Sequence, residues 1–92
     1  MSAAFNIVGE TQIVPKETVA ERVRRLQAEA RDLAKDHTRA LADLIGQAQS
    51  MAEEIAEGGE AYPAGVRDMA RRFAEDYDAR LQTLAALNER AR

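Results

Sequence analysis

Along the middle of the chain, apolar or small residues recur at Val19, Val23, Leu26, Ala30, Leu33, Leu41, Leu44, Ala48, Met51 and Ile55, with His37 in the same series. The steps are threes and fours, a heptad-type seam with one inserted step at His37. This predicts a first helix over about 15–57. Pro15 suits a first helical position and Glu17 the first turn. Thr18 with Glu21 offers a capping-box start three residues later. Gly58 and Gly59 supply the stop. Such a helix has about 43 residues and spans roughly 64 Å at ~1.5 Å per residue. Gly46 lies off the seam, costs on the order of 1 kcal/mol against alanine and marks a candidate bend.

A second seam reads Val66, Ala70, Phe73, Tyr77, Leu81, Leu84 and Asn88, with a doubled four-residue step at Tyr77. It predicts a helix over about 63–91, opened by Pro63, after a loop at 58–62. A loop this short makes the helices antiparallel neighbours. Residues 1–14 alone have strand character. Phe5 and Ile7 alternate with Asn6, and Ile13–Val14 is β-branched, which suits a short hairpin or an extended arm. The expected fold is all-α: a long antiparallel helical hairpin, coiled-coil-like, with a short extended N-terminal arm.

The lengths of the two helices predict self-association. The second helix reaches only part of the first, so Val19, Val23 and Leu26 lack a partner within one chain. Ile45, Ala52, Met69 and Leu87 flank the main seam and make it too broad for one helix. Burying a Val- or Leu-sized side chain is worth roughly 1.5–3 kcal/mol, a large sum against marginal stability. A twofold dimer closing into a four-helix bundle buries these stripes. The interface residues expected are Val19, Val23, Leu26, Leu33 and His37. Acid-first pairs four apart, Glu21–Arg25, Asp68–Arg72 and Asp76–Arg80, support the helices, as do Arg39–Asp43 and Arg71–Glu75 in the reverse order. Glu53 and Glu54 are expected across the hairpin from Arg67 and Arg71.

Composition narrows the chemistry. The chain has 92 residues, one domain at most, with no cysteine. That excludes disulfides, thiolate metal sites and thiol nucleophiles. A formal net charge of −3 gives no general attraction to nucleic acid or an anionic membrane. No apolar run approaches the roughly 20 residues of a membrane helix. The N-terminal residues show no basic region followed by an apolar core. The expected location is the cytoplasm, and the bias toward arginine and alanine suggests a bacterial, GC-rich source.

His37 is the sole histidine. Histidine phosphotransfer bundles are also helical and of similar size. They carry a lysine three residues after the histidine and then a glycine, where this chain has Ala40 and Leu41. His37 also falls on the apolar seam, so a packed interface histidine is the expectation. A bundle metal site of the Glu-x-x-His kind finds Ala34 where the acid belongs, so no metal or other cofactor is expected. The clusters Arg22, Arg24, Arg25 and Arg67, Arg71, Arg72 are interleaved with Glu21, Glu29, Asp68 and Glu75, an ion-paired face rather than a nucleic-acid stripe. Ribbon-helix-helix repressors also place a strand before two helices, but theirs are far shorter and this arm has no basic residues. The all-helical mutases of the chorismate type match in length and in their long first helix. Their dicarboxylate clamp would fall here on Arg24, Arg31, Lys35 and Arg80, which lie mostly off the seams beside acids, and a third helix is missing.

The expected function is therefore non-enzymatic: a homodimeric helical oligomerisation and protein-interaction module, a small bacterial accessory or regulatory protein. A mutase-like enzyme for a small anionic metabolite and a DNA-binding regulator are the alternatives. Loops carry binding function more often than cores, so Glu60, Tyr62 and Pro63 are the candidate contacts for a protein partner.

Overall fold

The computed structural model describes residues 16–91. The expected arm at 1–14 lies outside them. Two helices, α1 (Val19–Ala56) and α2 (Ala64–Arg90), are joined by a 3-10 turn at Gly59–Ala61. There is no strand among the described residues. The chain divides into two units, Met1–Asp32 and Leu33–Arg92.

In the first unit the helix starts at Val19, not at Pro15. Lys16 has φ 72°, a left-handed backbone that cannot belong to an α-helix. Thr18 and Glu21 close the capping box: the Thr18 N–H donates to Glu21 Oε1 at 2.9 Å, and the Glu21 N–H donates to Thr18 Oγ1 at 3.0 Å. Glu21 is thus occupied at the cap. Arg25 donates instead to Glu17, Nε to Oε2 at 2.9 Å and Nη2 to Oε1 at 3.0 Å, and to Glu29 at 3.4 Å. The forked pair with Glu17 is the main cause holding the Arg25 guanidinium above its ordinary pKa.

In the second unit, residues 33–56 of α1 pack antiparallel against α2 as a hairpin. The loop is built by its backbone. The Gly58 N–H donates to the Ile55 carbonyl at 3.1 Å, and Gly59 takes φ +81°, where a side chain is strained. The Tyr62 ring lies so close over Gly58 that a Cβ there would collide with it and sit 3.1 Å from the Glu54 carbonyl. Pro63 caps α2 in an extended conformation, φ −55° and ψ 146°. Its carbonyl accepts from the Arg67 N–H at 3.0 Å. Arg67 Nε donates to the Tyr62 carbonyl at 3.1 Å, which ties the loop to the first turn of α2. The stop at Gly58–Gly59 and the opening by Pro63 are as the sequence indicated.

On α1 the line of contact differs from the expected one; on α2 it keeps Ala70, Tyr77, Leu81, Leu84 and Asn88 and replaces Val66 and Phe73 by Arg67 and Ala74. On α1 the covered positions run Lys35, Thr38, Ala42, Ile45, Gln49, Ala52 and Ala56, and on α2 Arg67, Ala70, Ala74, Tyr77, Leu81, Leu84 and Asn88. Both series alternate threes and fours without interruption. The irregular step at His37 lies on a neighbouring line of larger residues on α1, and the one at Tyr77 disappears because Ala74, not Phe73, precedes Tyr77 in the contact line. The buried core is Ala52, Ala56, Ala70 and Ala74, with Ile55 packed against it. Alanines let the helix axes approach closely, which is why Ala52, read as a flanking residue, becomes central. Such a core is thin: a buried methyl is worth about 0.8 kcal/mol, against ~1.5–3 for a leucine. Two half-buried polar positions in the seam are satisfied locally. Thr38 Oγ1 donates to the Ala34 carbonyl at 3.0 Å and Gln49 Nε2 to Glu53 at 3.4 Å. α1 runs unbroken through Gly46.

Candidate interaction face

Beside the alanine seam, each helix carries a second line of side chains turned to one face of the hairpin. On α1 it comprises Leu33, His37, Leu41, Leu44, Met51 and Ile55, and on α2 Val66, Met69 and Phe73. A shallow groove runs between the two lines near the loop, lined by Met51, Ile55, Val66, Met69, Phe73 and Tyr77 with alanines at its floor. The Phe73 and Tyr77 rings stack with centroids 6.0 Å apart and planes inclined by 19°. Met51 is 64% exposed, Met69 49% and Phe73 48%. No large side chain among the described residues is fully buried. Large apolar side chains left half in water at helical spacing form a continuous patch, not scattered exceptions.

Of the residues expected at an interface, Leu33 and His37 lie on this face. Leu33 is 72% exposed, and His37 is exposed as well. Val19, Val23 and Leu26 belong to the first unit and are also exposed, Val19 at 81%. In the loop, Glu60, Tyr62 and Pro63 are exposed, although one side of the Tyr62 ring rests on Gly58. The heptad pattern puts Met51 and Phe73 inside the hairpin and Met69 at its margin, whereas the structure sets all three outward. Their outward setting could have been found from the uninterrupted three-four spacing of the small residues next to them.

The opposite face is polar. Near the open end of the hairpin a cleft is lined by Lys35, Thr38, Arg39, Leu84, Asn88 and Glu89 among others. The cations considered for an anion clamp are divided between the two units. Arg80 pairs with Asp76 at 3.4 Å on the surface, Lys35 lines the polar cleft, and Arg24 and Arg31 are exposed residues of the first unit. Asp68–Arg72 at 3.1 Å and Asp76–Arg80 are acid-first pairs four apart, as expected. Other expected partners are exchanged: Arg39 pairs with Asp36 at 2.9 Å and Arg71 with Asp68 at 3.8 Å. Arg67 turns to the loop instead of to Glu53 or Glu54. The described residues hold no group of three or more potential metal-ligating side chains, and none of their helices is long and apolar enough to cross a membrane. Compared with protein-family models, with curated proteins and with solved structures, the chain matches none.

Proposed function

We propose that this chain is a non-enzymatic helical oligomerisation and protein-interaction module that works as a homodimer, two hairpins closing into a four-helix bundle. The reading extends to a small bacterial accessory or regulatory protein of the cytoplasm. The observation that carries it is the one-sided apolar face. A hairpin whose buried core is four alanines leaves Leu33, Leu41, Leu44, Met51, Met69 and Phe73 about half exposed or more, and fully burying a side chain of this size is worth roughly 1.5–3 kcal/mol. A bundle built this way presents its charged outer faces and the loop residues Glu60, Tyr62 and Pro63 to a partner protein. Val19, Val23 and Leu26, on the first two turns of α1, are exposed apolar residues that also suit self-association. Sedimentation velocity across a hundredfold concentration range tests the proposal. A folded species with twice the mass of the chain is expected at micromolar concentration, and a stable, helical single chain overturns it.

A further inference from the structure

We infer that the apolar face of the hairpin is covered by the same face of a second copy, related by a twofold axis parallel to the helices, so that both loops lie at one end and α1 of each copy lies across from α2 of the other. The inference rests on the dimer proposed above and adds its orientation.

The face is large enough to hold two copies together. From Leu33 to Ile55 it runs about 33 Å along the axis and about 20 Å across two helices. Summed over two copies that is on the order of 1,300 Å², above the ~1,000 Å² that a specific interface needs.

Face-to-face packing of two hairpins closes in two ways. With the axis along the helices, α1 lies across from the partner's α2. With the axis across the helices, α1 lies across from the partner's α1, α2 across from α2, and the loops sit at opposite ends. The charges along the edges distinguish the two. Just outside its apolar line, α1 carries Asp36, Asp43, Gln47 and Glu54, spaced by seven, four and seven residues. These spacings are close to whole turns, so the residues form one edge. The corresponding edge of α2 carries Arg72, Asp76, Arg80 and Arg90. One edge is acidic with a neutral gap, and the other is basic with one acid.

The levels match as well. Lys35 and Thr38 share a cleft with Asn88 and Glu89, Gln49 and Glu53 one with Ala74 and Asp78, and Met51 and Ile55 one with Met69 and Phe73. In that register Asp36 lies level with Arg90, Asp43 with Arg80, Gln47 with Asp76 and Glu54 with Arg72, each within about one turn. Rotation about an axis parallel to the helices preserves level. Every acid on the edge of α1 therefore meets an arginine of the partner, and the one acid on the edge of α2 meets the partner's Gln47. The other arrangement sets acidic edge against acidic edge and basic against basic. The pairs that Asp36, Arg72 and Arg80 make within their own helices are exposed, hence weak and exchangeable. Complementary rim charges fix orientation more than they add affinity.

The chain has no cysteine, so a single Glu60→Cys substitution takes one spin label per copy in the exposed loop. Pulsed electron resonance on the full chain is expected to give a label separation of about 20–30 Å, the thickness of the bundle. Opposite loops would lie about 40 Å apart or more, the length of α2, and that distance overturns the inference while leaving the dimer intact. Sedimentation of the same sample reports the dimer independently, and a single chain there removes both proposals. Asp43→Arg is expected to weaken self-association about tenfold, and adding Arg80→Asp to restore it. Asp43→Arg that tightens the dimer, or a double variant that fails to restore it, overturns the pairing.

Discussion

Two lines of side chains run next to each other along the same helices and meet different fates. The seam line, centred on Ala52, Ala56, Ala70 and Ala74, is closed by the hairpin itself. The neighbouring line, with Leu44, Met51, Met69 and Phe73, stays half open to water. Near the loop the difference is one of size. Two helices joined by a tight loop approach most closely where both present methyl groups, and larger side chains beside that contact are pushed to its margin. Near the loop, small residues thus close the hairpin while the large ones beside them stay exposed.

Phe73→Asp should separate the two lines most sharply. It places a charge in the apolar groove near the loop of both copies, and a loss of self-association of at least ~100-fold, about 3 kcal/mol, is expected by sedimentation equilibrium. Ala70→Leu attacks the seam instead. It forces three extra carbons between closely packed helices and should destabilise the fold by about 1–3 kcal/mol in urea titration. If Ala70→Leu is neutral, the helices are not in close contact there. Leu26→Asp puts a charge on the first unit's exposed line and should weaken self-association about tenfold, with little change in helicity by circular dichroism. An unchanged dimer would show that the interface stops short of Leu26. Gly46→Ala is the mildest test. A Cβ at Gly46 meets nothing within 4 Å, so alanine should raise stability by about 1 kcal/mol, roughly 4–8 °C in Tm for a chain of this size, without altering association.

Much of the architecture was legible because it depends on local signals. The Thr18–Glu21 box, the Gly58–Gly59 stop and Pro63 are short-range features, and the structure uses each of them. The pairs Asp68–Arg72 and Asp76–Arg80 follow from helical spacing alone. The contact line is misassigned on α1, and at Phe73 on α2, because hydrophobicity ranks leucine, methionine and phenylalanine above alanine, whereas close approach ranks them in reverse. Arg25 was paired with Glu21, but the cap claims that carboxylate, and Glu17, from the turn before the helix, takes its place. Nothing in a helical pattern reveals where a residue outside the helix will point. The apolar face was legible as a surplus of large residues, but not as a set, because several of its members had been assigned to the inside.

The alanine core has a further consequence for how this protein should respond to its own abundance. If cohesion comes mainly from the covering of one chain by another, unfolding and dissociation become a single event, and mass action governs both. Dilution would then act as a denaturant, and the midpoint of thermal melting would climb with protein concentration.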